Sequence, residues 1–371
     1  MYNNQDLDEA VAAGALDATA AASLRNYLDG DRGAPSVDEE QFRLVTSFND
    51  IFVTIASVIL LFAVGWIGQS IGQAIGLTMD ADGKQGPSFV GPLAVAATAW
   101  GLALFFTAKR GMALPSILLL LAFVGAVFAT AVLTIGIVVG AAFLNNNIAG
   151  SSLVAATGAL VAAGAAYFHW RRFQVPITVA AGSGAVVGLI LALVASMLGD
   201  NNPLTRNILL GVVLVLGIAT FLFAMRWDSL DPARTTRRSD VAFWLHLLAA
   251  PMIVHPVFTL LGLNDGSASI GEGVVVILLY VGLAVAALAI DRRALLVSAL
   301  AYVLYALTAL FREIGAVELS VALTALVIGS ALLLLSAYWH QARRLIVVRL
   351  PAALQGKLPL LDRPLSLQPA A

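Results

Sequence analysis

The sequence predicts an all-α fold: a polytopic transmembrane bundle of about ten helices, with both termini cytoplasmic. Three observations carry this. Only 12% of the 371 residues are charged while 60% are hydrophobic, and the mean hydropathy is +0.91. A soluble domain carries about 25% charged residues, so much of this chain's surface meets lipid. Apolar segments of about 20 residues, the length that crosses a bilayer core, recur along the chain. Lysine and arginine fall on alternate connections between those segments, as the positive-inside rule requires.

Residues 1–47 form an acidic helical segment, with nine Asp and Glu against three Arg. No basic stretch followed by an apolar one opens it. The sequence therefore predicts no cleavable signal peptide, and the apolar run from Ile51 is itself the insertion signal. LDEAVAAG and DATAAASLRNYL read as two short helices parted by Gly14, with Asp17 as N-cap and Gly30 as stop. Leu7, Val11, Leu16, Leu24 and Leu28 recur at near-helical spacing and give the segment an apolar face. DEEQFRLVTSFND then leads into the first span as an amphipathic helix.

Residues 48–338 hold the spans, at about 50–70, 88–107, 112–143, 148–168, 176–198, 207–225, 241–263, 274–290, 294–311 and 319–338. Turn formers join them: DADGKQGP, NNN, GDNNP and NDGSAS. DADG matches only the start of a calcium loop and reads as a plain turn. The third segment, about 48 Å long as a helix, exceeds a core of about 30 Å, so it is one tilted span or two. Charge decides. With one span there, 18 of the 21 basic residues fall on one side and only Lys84, Arg206 and Arg312 on the other. Splitting the segment sends the later basic residues outside, so it is read as a single span. Trp170, Trp227, Tyr338 and Trp339 fall at cytoplasmic helix ends, where aromatic rings favour the headgroup zone.

Basic pairs recur at 109–110, 171–172, 237–238, 292–293 and 343–344, once per helical hairpin. The order of TAKRGMALPSI and FHWRRFQVPIT raises a duplicated hairpin. An inverted five-helix repeat fits poorly, because Pro92 and Pro256 both lie toward the outside. The fourth and fifth spans are rich in small residues, with Gly184 and Gly188 at GxxxG spacing, which Gly136 and Gly140 repeat. Such faces let helices approach closely, within one chain or in a homo-oligomer.

Residues 339–371 form a basic tail, five bases against one acid. RRLIVVRLPAALQGKL sets apolar beside basic residues. It reads either as an interfacial helix on anionic headgroups or as a frayed tail.

The layout of these ends, LDEAVAAGALDATAAASLRNYL and LLLLSAYWHQARRLIVVRLPAALQGKLP, together with SDVAFWLHLLAAPMIVHPVF in the seventh span, resembles a group of uncharacterised multi-spanning bacterial inner-membrane proteins that share a short helical N-terminal cytoplasmic segment. The resemblance implies a bacterial inner-membrane location. That group has no assigned activity to carry over.

Candidate chemistry is sparse. No Asp, Glu, Lys or Arg lies near the middle of any span, which argues against a usual proton-driven pump. There is no cysteine and no P-loop, HExxH or GxSxG motif. The sequence therefore predicts no enzyme, catalytic residue, metal or cofactor, and no nucleic-acid partner. The seventh span is the exception. Pro251 and Pro256 free the carbonyls of Leu247 and Met252 and predict a kink. His246 and His255, nine residues apart, point to opposite faces and cannot share a metal. A polar pocket at the outer end is expected from His255, Tyr302, Tyr305, Glu313 and Glu318. The alternatives are a buried, hydrogen-bonded imidazole and an ordinary aromatic packing pair. Two functions follow: binding or transport of a small solute at that pocket, or a non-catalytic scaffold or sensor component with a protein partner at the cytoplasmic ends. The lipid bilayer is the partner common to both.

Overall fold

A computed structural model describes residues 7, 10–31, 48–80, 84–199, 203–232, 236–261, 270–313, 318–356, 358–359 and 361, with Tyr302, Tyr305 and Glu313 described in backbone only. The chain divides into two units, residues 1–42 with 361–371, and residues 43–360. In the first, α1 spans Ala18–Asp31. Gly14 takes φ +69° and turns the chain before it. Asp17 caps the helix, its Oδ2 accepting from the Thr19 amide at 3.2 Å. The helix runs one residue past Gly30, the expected stop. Ala21 is buried while Leu24 is exposed. Of the amphipathic helix expected over 38–50, residues 38–47 lie outside the described residues and 48–50 open α2; of the DADG turn at 80–83, residues 81–83 lie outside them, while Asp80 Oδ1 accepts from the Gly86 amide at 3.2 Å.

The second unit is a helical bundle. Its helices are α2 (Phe48–Ala74), α3 (Val90–Phe106), α4 (Ala113–Val139), the one-turn α5 (Ala141–Asn145), α6 (Ile148–Phe173), α7 (Ile177–Leu198) and α8 (Thr205–Ser229). They continue with α9 (Arg237–Leu260), α10 (Ile270–Ile290), α11 (Ala294–Glu313), α12 (Ser320–Ala337), α13 (Trp339–Val347) and the short α14 (Ala352–Gln355). Among the described residues, seven helices are long and apolar enough to cross a membrane: α2, α4, α6, α7, α8, α9 and α12. The chain is thus an all-helical, multi-pass membrane protein. Phe52, Ile59, Phe62 and Trp66 on α2 are each about two-thirds exposed. A face of that kind is stable against lipid and not against water.

The long third segment is one 27-residue helix, α4, with no second span. It ends at Gly140, where φ +90° breaks the helix before α5. This corrects the reading of Gly136 and Gly140 as a packing pair. A Cβ at Gly136 meets the Met79 side chain, whereas at Gly140 nothing lies within 4 Å. The small residues of α6 and α7 do serve packing within the chain: these two helices form the most extensive contact of the bundle. A tighter crossing was not apparent in the sequence. On α2 and α3, a Cβ at Gly68 would lie 2.8 Å from the Gly91 Cα, and one at Gly91 would lie 2.9 Å from the Gly65 oxygen. Neither helix can carry a side chain there.

The central helix is α9, packed on α7, α8 and α11. Val241 and Leu245 join Ala180 and Ala224, and further along Val254 and Phe258 join Val276, Ala299 and Val303. The buried face of α9 is mostly apolar and turns toward the interior, while Pro251 and His255 lie on an exposed side. The chain continues as a helix through Pro251 and Pro256 to Leu260. Proline at 256 leaves the Met252 carbonyl without its usual donor. Gly217 of α8 lies against that backbone, where a Cβ would come within 2.9 Å of the Met252 carbonyl carbon and 3.0 Å of its oxygen.

Candidate functional site: a buried ion cluster at the basic end of the bundle

The end of the bundle where α8 gives way to α9 carries most of the basic residues, and it holds a closed polar cluster. The α8–α9 connection is fixed locally. The Thr236 amide and hydroxyl both donate to Asp231 Oδ2, at 2.9 and 2.7 Å, and Thr236 Oγ1 accepts from the Arg238 amide at 3.3 Å as the N-cap of α9. This connection and the Gly217–Met252 approach hold an antiparallel register that sets Asp228 of α8 beside His246 of α9.

His246 Nε2 lies 2.9 Å from Asp228 Oδ2. Arg292, from the turn between α10 and α11, reaches the same carboxylate with two donors. Its Nη2 is 2.5 Å from Oδ1 and its Nε is 3.3 Å from Oδ2. Nη2 also donates to the Ser239 carbonyl at 3.1 Å. All three residues are at most 2% exposed. Burying a carboxylate is costly unless opposite charge and hydrogen bonds compensate it, and here a guanidinium and an imidazole do so. Because the carboxylate accepts, Nε2 of His246 carries the proton. Phe221 packs edge-on against the imidazole at 5.1 Å, and the guanidinium sits 6.0 Å from the Phe243 ring centre.

The neighbours of Arg292 point elsewhere. Asp291 takes φ +56°, a left-handed conformation that Asp tolerates better than most residues. Its Oδ1 accepts from Trp339 Nε1 at 2.7 Å and lies 3.8 Å from Arg343 Nε. Arg293 stacks on Trp339, 4.8 Å from the ring centre. Arg343 Nη2 donates to the Pro359 carbonyl at 2.6 Å. Trp339, Arg343 and Val347, one face of α13, are therefore buried, while Leu345 and Val348 are exposed. The basic tail begins as a helix docked on the bundle rather than as a frayed end.

A second buried histidine, His169 of α6, places Nδ1 3.3 Å from Thr178 Oγ1. Its ring packs against Phe173 at 4.6 Å and Trp100 at 6.0 Å, and its Nε2 has no hydrogen-bond partner among the described residues.

Comparison with protein-family models, with curated proteins and with solved structures finds no match for this chain.

Of the expected outer pocket, His255 and Glu318 are the two residues whose side chains are described. His255 is exposed on α9, which corrects the reading of it as a buried imidazole. The half-turn offset between His246 and His255 puts one ring inside the bundle and the other outside it. Glu318 is exposed in the turn before α12. Pro251 is exposed and Pro256 buried. The side chains of Tyr302, Tyr305 and Glu313 lie outside the described residues. The cleft beside α9 and α10, about 430 Å³, is lined by apolar residues such as Ile253, Val257 and Leu278, and His255 is not among them. Among the described residues, no three His, Asp or Glu side chains converge as metal ligands.

Sequence reasoning missed Asp228, Arg292, Asp291 and Ser239. One signal was available: Asp228 closes one span and His246 lies inside the next, so a tight hairpin sets them side by side.

Proposed function

We propose that this chain is a ten-span protein of the bacterial inner membrane with both termini in the cytoplasm, acting as a non-catalytic scaffold or sensor component. Its partner is a protein that binds at the cytoplasmic ends of the helices. One observation carries this reading: the turn Asp291–Arg292–Arg293 is shared between two hydrogen-bonded sets. Arg292 belongs to the buried cluster that joins α8 and α9, while Asp291 and Arg293 hold α13 through Trp339. A load on the outer face of α13 is thereby coupled to α8, α9 and the α10–α11 turn.

The cluster is closed to solvent, so its carboxylate, imidazole and guanidinium serve the packing of the helices. The alternating basic connections and the layout shared with the bacterial group support the location and the ten spans. The small-solute reading draws on His255 and Glu318, both exposed, and the apolar cleft beside α9 and α10 is not lined by either.

Photocrosslinking amino acids at Leu345 and Val348, in native membranes, test the proposal. The expected result is a protein adduct at both positions that is lost in Trp339→Ala and absent from the lipid-facing Val215 position. If there is no adduct, and a solute from a defined panel raises the melting temperature in a way His255→Ala abolishes, the solute reading replaces it.

A further inference from the structure

A groove of about 540 Å³ runs along the membrane face of α7, walled by α6 on one side and α8 on the other. Its floor is low because Gly182 and Ser183 of α7 carry little side chain. The groove changes character along its length. Toward the basic end it is rimmed by four aromatic residues, Tyr167 and Trp170 from α6, Phe223 and Trp227 from α8. Away from that end it is mainly aliphatic, with Ser183 and Thr220 as its polar members, closing near Ile190 and Leu216. From Thr178 to Ile190 the floor covers about 18 Å of helix, close to one leaflet's hydrocarbon depth of about 15 Å.

Cations stand at the aromatic end. Arg171 follows Trp170, and its Nη1 lies 3.3 Å from the Tyr167 hydroxyl, with the guanidinium 6.0 Å from that ring's centre. Arg226 precedes Trp227 on the opposite wall. Both arginines are exposed. A greasy channel of one-leaflet depth, an aromatic collar at headgroup level and two flanking guanidiniums match an anionic amphiphile from tail to head.

We infer that this groove is a binding site for one anionic glycerophospholipid of the leaflet at the basic end. One acyl chain lies over Gly182 and Ser183, and the phosphate lies between Arg171 and Arg226. The site differs from ordinary lipid contact in two ways. It holds one molecule per chain, and it selects by headgroup charge. An arginine at the membrane surface gives roughly a fivefold preference for an anionic headgroup, so the pair gives about 30-fold.

Native mass spectrometry of the full-length protein in detergent tests this, with phosphatidylglycerol and phosphatidylcholine of the same acyl chains as probes. The expected result is one phosphatidylglycerol retained at activation energies that strip the rest, and no such retention of phosphatidylcholine. Val186→Trp fills the groove and removes that molecule, whereas Val215→Trp, on the exposed face of α8 outside the groove, keeps it. Arg171→Gln with Arg226→Gln lowers retention to the phosphatidylcholine level. Size-exclusion profiles like the unsubstituted protein's establish that each variant is folded. Equal retention of the two lipids would reduce the groove to an annular contact and overturn the inference. So would retention unaffected by Val186→Trp, or a lipid-free dimer that the same substitution dissociates.

Discussion

His246 Nε2 sits 2.9 Å from Asp228 Oδ2, on a carboxylate that Arg292 also grips with two nitrogens. The histidine is thus one of two partners of a buried charge, and the weaker of them. Replacing it with phenylalanine leaves the Asp228–Arg292 pair intact and removes one hydrogen bond to a charged group. The expected cost is about 1.5–3 kcal/mol, read as a lower midpoint in equilibrium unfolding in mixed micelles.

Gly217 supplies a second prediction. Its Cα face touches the Met252 backbone, so even alanine puts a methyl group within 3.0 Å of a carbonyl that cannot move without bending α9. Gly217→Ala is expected to destabilise the bundle by about 1–3 kcal/mol. Gly211 lies on the same helix, and a methyl group added there would meet nothing within 4 Å, so alanine is expected to be tolerated with little change. Equal effects at the two glycines would remove the close approach from the account.

The N-cap of α1 gives a pH dependence. The Thr19 hydroxyl and amide, bonding to the Asp17 carboxylate, hold its pKa below the ordinary value of 3.8. The folded-state pKa is lowered, so the cap's contribution is fully present above the ordinary carboxylate value. It is lost as pH falls through the lowered one. The protection factor of the Thr19 amide in the full chain, its exchange rate relative to an unprotected amide at the same pH, is expected to be high at neutral pH and to fall as pH drops below 3.8. Asp17→Ala should show a low protection factor at every pH.

Threading is tested by reporter fusions. With 18 of 21 basic residues on one side, fusions after Trp170, Trp227 and Trp339 are expected to report cytoplasm and one after Asn146 the opposite compartment. A reversed signal at any of the four breaks the ten-span reading.

Much of the bundle was legible in the sequence because its signals are local. Span length, small-residue faces and the alternation of charge all act within one helix or one connection. The opposite facing of His246 and His255 followed from nine residues at about 100° each. The ion cluster was not legible, because its partners are far apart in the chain: Arg292 is 64 residues from Asp228. Asp228 beside Trp227, and Arg292 beside Arg293, each pass for ordinary headgroup-level residues. Only tertiary packing separates Arg292, which turns inward, from Arg293, which stacks on Trp339. The break at Gly140 was hidden for another reason. A glycine at GxxxG spacing and a glycine at a left-handed turn look alike until φ is known.

Asp228 and Arg292 form one coupled, buried pair that locks α8, α9 and the α10–α11 turn together. A double-mutant cycle with Asp228→Asn and Arg292→Met, measured by equilibrium unfolding in mixed micelles, tests it most directly. Each single substitution strands a buried partner and is expected to cost about 3–5 kcal/mol. The double variant removes both charges, so its cost should fall short of the sum by about 2 kcal/mol or more. Costs that add to within about 0.5 kcal/mol would contradict the coupling and, with it, the cluster's role at this end of the bundle.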